Sequence, residues 1–311
     1  MNNYRIPLQI IATLLVVAVS FIAGMWYMGA RTDAQVDEHN LLAKRIFLSK
    51  QTDTLLNFEP LRAQLREELA YYEGDVSLYF EYLPTGTSIR IGDTQHMVAA
   101  SLLKVPVIME LYKLAETGHV NLDTQVALRS EWLDSGYGDL YKKGAGYKLT
   151  LDELSRLVLE QSDNTALNAV QSVTAKYADR LVSSAYDALD VDFVDTKEAN
   201  LSMSARAYAS FMKCLYFSCY LSADASQDIM AHLAHSTYGG EGRLGKYIPS
   251  DVPIAHKIGV AGNQVQSDCG IVYIPERPYL LCVMLGENKE RGSEVIAQVS
   301  RQAYDYVVKA R

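Results

Sequence analysis

Three short motifs with reactive side chains stand in order along the chain: Ser101-Leu-Leu-Lys104, Ser162-Asp-Asn164 and Lys257-Ile-Gly259. A serine hydroxyl is a weak nucleophile until a neighbouring group takes its proton. Positions i and i+3 share one face of a helix, so this spacing sets the Lys104 amine toward the Ser101 hydroxyl. To act as a base that amine needs a lowered pKa, which burial beside other cations provides. A serine at a helix amino terminus also gains from the helix dipole, and its backbone N–H can face a developing oxyanion. Ser162 offers a second hydroxyl in the path of a proton. Asn164 offers an amide to hold a carbonyl, and Lys257 a second ammonium. Gly259 lets a ligand approach the backbone closely.

Each motif alone is common. Ser210-Phe-Met-Lys213 repeats the first spacing and Lys142-Lys-Gly144 the third. Ser, Asp and Asn are also the residues that cap helices. The order of the three, and their context, sets them apart. Lys257 follows Ser162 and precedes a predicted hairpin, which allows an inner strand beside the helix that bears Ser101. Gly240-Glu-Gly-Arg-Leu-Gly245-Lys246 nearly spells a phosphate loop. Tyr247 stands where such a loop needs Ser or Thr, and a helix rather than a strand precedes it, so no nucleotide is expected. The six histidines lack a zinc-protease spacing. No metal or organic cofactor is expected. The net charge of −8 argues against a nucleic-acid partner.

The elements that must position these residues can be read from periodicity. Pro60 opens a helix through Tyr72 with Leu61, Leu65 and Leu69 on one stripe. Val76, Leu78, Phe80 and Tyr82 alternate as a strand, Pro84-Thr-Gly86 turns, and Ser88 to Ile91 returns. Ser101 to Glu116 reads as a helix that Pro106 can bend. Thr150-Leu-Asp-Glu153 is a capping box that opens a helix to about Gln161. Ser162-Asp-Asn164 therefore sits at a helix end. Further helices are predicted over Thr165–Val173, Ala175–Ala188, Ala205–Tyr216 and Ala225–His235. Strands Gly270–Ile274 and Tyr279–Leu285 flank a turn, and Ser293 caps a last helix to about Lys309. The order implies an α/β (α+β) fold. An antiparallel sheet is built from both chain ends and flanked by helices, with an inserted all-helical domain.

Pro7 to Ala30 carries no charge over 24 residues. A helix of that length reaches about 36 Å, enough for a hydrocarbon core of about 30 Å. Trp26 and Tyr27 suit its outer interface. A cleaved signal peptide would be shorter and end in small residues, whereas Met28 stands where Ala30 would need a small partner. The expected organisation is a cytoplasmic stub (1–6), a single-pass transmembrane anchor (7–30), a stalk (31–52) and an extracytoplasmic domain (53–311). Cys269 and Cys282 lie on paired strands and can touch, and Cys214 and Cys219 lie near one helix end. Disulfides and free buried thiols both remain open.

From about Leu61 to Lys309 the chain resembles the superfamily of class A β-lactamases and penicillin-binding serine hydrolases. Val98-Ala-Ala-Ser101, Ser162-Asp-Asn-Thr165-Ala166 and His256-Lys-Ile-Gly259 before a hairpin carry the likeness. The resemblance implies a serine hydrolase that cuts an amide bond of a β-lactam or a peptidoglycan stem peptide. It implies Ser101 as the acylated nucleophile, Lys104 as its base and Ser162 as a proton relay. Asn164 would anchor substrate and lysine, and Lys257 would hold Ser162 and a substrate carboxylate. The backbone N–H groups of Ser101 and Val260 would form the oxyanion hole. Two positions depart from the family. Ile258 stands where Ser or Thr usually grips the carboxylate. Glu198, 36 residues after Ser162, is the candidate for activating the deacylating water, but Glu198-Ala-Asn200-Leu201 does not reproduce the family's Glu-x-x-Leu-Asn loop. The departures leave two further readings: a D,D-peptidase that binds penicillin and deacylates slowly, and a non-catalytic cell-wall-binding module.

Overall fold

The computed structural model describes residues 57–309, apart from 73, 181–183, 197–199, 238–242, 263–264 and 287–288. The expected stub, anchor and stalk, and Glu198, lie outside the described residues. Among the described residues no helix is long and apolar enough to cross a membrane.

Helix α1 (Glu59–Ala70) buries Leu61, Leu65 and Leu69, and Pro60 occupies its first turn, where a backbone donor is not needed. Strands β1 (Val76–Tyr82) and β2 (Thr87–Ile91) form a hairpin. A short β3 (Met97–Val98) leads into a 3-10 turn (Ala100–Leu103) and then α2 (Lys104–Glu116). Strands β4 (Gln125–Ala127) and β5 (Lys148–Thr150) pair across a long loop. Thr150 and Glu153 close the predicted capping box of α3 (Leu151–Glu160), and Asp163 caps α4 (Asn164–Thr174). A one-turn α5 (Ala185–Ala188) precedes β6 (Val194–Thr196) and β7 (Asn200–Met203), which join β3 in a small sheet. Helices α6 (Ala205–Phe217) and α7 (Ala223–Ala234) follow. Strands β8 (Ile254–Ala261), β9 (Val265–Val272) and β10 (Tyr279–Gly286) and helix α8 (Lys289–Lys309) close the chain.

The main sheet has the order β2-β1-β10-β9-β8 and is antiparallel throughout. Its first hairpin docks on its last strand, which assembles one sheet from both chain ends as the sequence implies. Side chains alternate across it. Leu280, Cys282 and Met284 join a core shared with the middle helices, and Leu281, Val283 and Leu285 join a core with α1 and α8. Strands β9 and β10 are buried on both faces; β10 is accordingly nearly continuous in apolar residues, whereas β9 buries the polar Gln266, Ser267 and Asp268 as well.

Five expectations are corrected. The last helix starts at Lys289, so Ser293 lies within it and is not its cap. The helix predicted from Ser101 starts as a 3-10 turn, and the α-helix begins at Lys104. The helix predicted over Ala175–Ala188 is a 3-10 turn (Ala175–Arg180) and the single turn of α5. Strand β9 begins at Val265 rather than Gly270, because pairing with β8 extends it through a polar stretch. The strand bearing Lys257 is an edge strand rather than an inner one, since β1 and β2 add on the far side of β10. The cysteines form two disulfides, Cys214–Cys219 and Cys269–Cys282. The second joins directly opposed residues of β9 and β10.

Candidate active site

Ser101 sits half-buried on the 3-10 turn, immediately after Ala100, whose φ of +49° is unusual for a residue with a side chain. Such a conformation costs of order 1–3 kcal/mol and is held by its surroundings. The surroundings here are tight. Ala99 and Leu102 are fully buried, and the turn packs on Gly259 of β8. A Cβ on Gly259 would lie 2.8 Å from the Ala99 carbonyl oxygen and 3.0 Å from Leu102 Cγ. Gly259 thus lets the strand approach the turn that carries Ser101. Val260 is the next residue on the same free edge.

Lys104 opens α2 and is 3 % exposed. Its ammonium donates to the Ser162 carbonyl, to Ser162 Oγ at 3.0 Å and to Asn164 Oδ1 at 2.8 Å. The expected contact with Ser101 is replaced by these: the Ser101 hydroxyl makes no hydrogen bond to another described residue. The 3-10 turn keeps positions i and i+3 on one edge, so the two side chains still share a side. Burial pushes the Lys104 pKa down to about 8, while Asp163 and Asp134 oppose the shift.

Ser162 ends α3 with φ +53°, the left-handed position where glycine is usual. A serine there brings both its carbonyl and its hydroxyl to Lys104. Asp163, fully buried, accepts from Ala166 N at 2.8 Å as the cap of α4 and from Leu140 N at 2.9 Å. It therefore ties the helix start to the long loop between β4 and β5. Gly138 of that loop touches it, with φ +81° and space for no Cβ: one would stand 2.0 Å from Asp163 Oδ2. Asn164 donates its backbone N–H to the Tyr137 carbonyl at 3.0 Å and its side-chain amide to Asp134 Oδ1 at 3.2 Å. This fixes the amide so that its oxygen faces Lys104. A polar cleft of about 380 Å³ opens beside these residues, lined by Tyr137, Gln161 and Thr237 among others.

Lys257 is 1 % exposed and makes no hydrogen bond to another described residue. Its pKa is pushed down to about 7, first by burial and then by Lys104 and Arg243, against Asp268. Asp268 opposes this shift but has other partners of its own. It accepts from His256 Nδ1 at 2.7 Å and from Leu244 N at 3.2 Å. It also lies opposite Ile258 in the register, on the other face of the sheet from Lys257. Ile258 itself is 4 % exposed and turned the same way. The site therefore gathers two buried lysines and the Asn164 amide beside Ser101, with Asp134, Asp163 and Asp268 near enough to oppose part of the positive charge.

The structure brings Lys104, Ser162 and Asn164 into direct contact and packs the turn of Ser101 against Gly259, two residues from Lys257. The Ser210 look-alike lies elsewhere, and Lys142 of the other, on the loop that carries Gly138, pairs with Asp139 at 2.6 Å. Ser210 Oγ donates to the Arg206 carbonyl, and Lys213 pairs with Glu81 at 3.1 Å. Asp134 and Arg243 escaped the sequence reading, as did the second role of Asp163. Asp134 and Asp163 make loop contacts that no spacing reveals. Arg243 donates to Gln266 Oε1 at 2.5 Å and keeps its buried Nε without a partner among the described residues. Its one sequence signal was a place in the glycine-rich segment that failed as a phosphate loop. A larger groove of about 590 Å³ between α1 and α8 holds none of these residues.

Comparison with known proteins follows the same lines. The model of a family described as the β-lactamase enzyme family matches residues 60–307. Comparison with curated protein sequences finds no match. Among solved structures, PBP-A is similar at 24 % identity and TM-score 0.72, over 82 % of this chain and 100 % of that one. A mutant of PBP-A, solved as an acyl-enzyme complex with penicillin G, is similar at 24 % identity and TM-score 0.71, over 80 % and 97 %. A β-lactamase from Chitinophaga pinensis is similar at 22 % identity and TM-score 0.72, over 79 % and 99 %. These likenesses establish the fold. With the family match across the whole of the described domain, the chain belongs to the β-lactamase enzyme family and is a serine hydrolase.

Proposed function

We propose that the protein cleaves the amide bond of a β-lactam or a peptidoglycan stem peptide through an acyl-serine at Ser101. The observation that carries this reading is the engagement of Lys104 by Ser162 and Asn164, beside the turn of Ser101, with Lys257 and Arg243 supplying positive charge. Neutral Lys104 takes the Ser101 proton as Oγ attacks the carbonyl carbon. Charge grows on the carbonyl oxygen, and the N–H groups of Ser101 and Val260 receive it. The proton passes from Lys104 through the Ser162 hydroxyl to the leaving nitrogen as the C–N bond breaks. Water then cleaves the ester, with Glu198 as the candidate base.

A substrate carboxylate is recognised without the usual hydroxyl. Ile258 faces away from the cleft, so anion binding falls to Lys257 and Arg243. The membrane stands at the amino-terminal side of this reading, with residues 7–30 as a single-pass anchor and the hydrolase outside the cell membrane. The PBP-A complex with penicillin G supports acylation by that class of compound.

Labelling with a fluorescent penicillin tests the proposal. The expected result is one covalent adduct that Ser101→Ala abolishes. Absence of any adduct with the intact protein favours a binding module of the same fold. Release of the adduct within seconds marks a lactamase, and an adduct stable for hours marks a penicillin-binding peptidase.

A further inference from the structure

A second cleft, of about 580 Å³, lies between the β4–β5 pair and the far end of α4. That volume is within the range of small-molecule sites, roughly 300–1,000 Å³. Its walls include Val126, Leu151, Val173 and Trp132, and its polar lining includes Arg129 and Lys176. Trp132 is 8 % exposed, and the Arg129 guanidinium stands 4.9 Å from its ring centre. The His119 and Tyr177 rings, 6.4 Å apart, line another part.

The charge of this cleft is unlike that of the chain. No Asp or Glu is among its lining residues, although the protein carries a net charge of −8. Among the described residues Arg129 has one ion pair, at 3.7 Å to Glu131, and both side chains are more than half exposed. Such a pair is weak and leaves the guanidinium able to take a better partner. Lys176 makes no ion pair with another described residue. Apolar walls with two cations beside them suit a molecule that is apolar at one end and negative at the other. A planar guanidinium holds a carboxylate through two parallel hydrogen bonds, which adds geometric selection to the charge.

The cleft is distinct from the acylation site. Helix α4 runs from Asn164, at the acylation site, to Thr174 about 16 Å on, and Val173, Lys176 and Tyr177 line the cleft at that far end.

We propose that this cleft is a binding site for a small amphipathic carboxylate, with its apolar body against Trp132, Val126 and Val173 and its anion on Arg129 and Lys176. The inference does not depend on the reaction at Ser101.

Trp132 gives the readout. The chain has two tryptophans, so Trp26→Phe leaves Trp132 as the single tryptophan, excited apart from the tyrosines at the red edge of their absorption. In that background, 4-tert-butylbenzoate is titrated against the neutral 4-tert-butylbenzamide. The expected result is saturable change in Trp132 emission with the acid, and at least tenfold weaker binding of the amide. Arg129→Glu with Lys176→Glu, both at exposed side chains, should weaken the acid at least tenfold. Fluorescent-penicillin labelling or, if none occurs, an unchanged circular dichroism spectrum shows that the double variant is folded. Equal binding of acid and amide overturns the proposal, as does equal binding to the double variant or no response at millimolar acid. Binding that survives the double variant and is lost in Lys257→Ala places the acid in the acylation site, and that outcome overturns it too.

Discussion

The Lys104 ammonium stands 3.0 Å from the Ser162 hydroxyl, so the lysine of the first motif is held by the second motif rather than by Ser101. With Asn164 Oδ1 and the Ser162 carbonyl, three acceptors surround three N–H groups. Once neutral, the amine has two donors and one lone pair. It can keep the Ser162 carbonyl and Asn164 and turn the lone pair to a hydroxyl. Lys104→Ala should therefore slow acylation of Ser101 by about 10²- to 10⁴-fold, the usual range for a positioned base. Ser210→Ala, in the look-alike motif, should leave the rate unchanged. Stopped-flow acylation with a chromogenic β-lactam measures both.

The pH profile follows from two lysines with opposed requirements. Lys104, at about 8, must lose its proton, and Lys257, at about 7, must keep its own. The reactive form is then the minority one, roughly one molecule in twenty at its best pH, about 7.5. Acylation should trace a bell with limbs near 7 and 8. Lys257→Arg keeps its charge at every accessible pH. In that variant the alkaline fall should vanish and the rate should level off above pH 8. A bell unchanged in Lys257→Arg would show that another group sets the alkaline limb.

Lys257 also works against the fold. A lysine whose folded pKa lies below its unfolded value destabilises the protein most at low pH, where both states are charged. The penalty is relieved as pH rises from about 7 toward 10.5, because the unfolded state then holds the extra proton. Lys257→Met should accordingly raise stability by ~1–4 kcal/mol at pH 6, and by less at pH 9, while acylation is lost. Thermal unfolding at the two pH values checks this. For a domain of this size each kcal/mol corresponds to about 2–4 °C.

The sheet and its closure from both chain ends were legible because β1 alternates and the motif order is fixed by the chain. The capping box at Thr150 and Glu153 was legible because it is written in four consecutive residues. What escaped depends on tertiary contact. The 3-10 turn under Ser101 reflects packing of Ala99 and Leu102 on Gly259, which no local propensity encodes. Strand β9 looked too polar at Gln266, Ser267 and Asp268, yet partners on neighbouring elements satisfy Gln266 and Asp268. Arg243 joins the site through a side chain alone. The disulfide of Cys269 with Cys282 was left open because only the register places the two opposite each other.

Asp163 and Gly138 form one joint, and each should fail without the other. Asp163→Ala removes the cap of α4 and leaves Leu140 N without its acceptor. A lost cap costs about 1 kcal/mol and a buried orphan donor ~1–3 kcal/mol more. Gly138→Ala should cost at least as much, since its Cβ meets the carboxylate at 2.0 Å in a left-handed backbone. Both variants should also slow acylation, because Ser162 and Asn164 flank the joint. Urea unfolding and acylation rates measured together would reveal a fall in one without the other, which would separate fold from site.

Gly259→Ala tests the contact between strand and nucleophile turn. The added methyl would lie 2.8 Å from a backbone oxygen and 3.0 Å from Leu102, so either β8 or the turn must shift by several tenths of an ångström. Strand β8 is free on its outer edge and bonded on one side only to β9, which makes it the easier to move. The shift would carry Val260 N–H away from the carbonyl oxygen and alter the reach of Lys257. A misplacement of about 1 Å costs about 10²-fold in rate, so a shift of several tenths costs about 10-fold or more. The expected outcome is therefore a folded protein, with cooperative unfolding preserved, whose acylation is about 10- to 100-fold slower. Acylation at the original rate would mean that the turn, and not the strand, had yielded without disturbing Ser101.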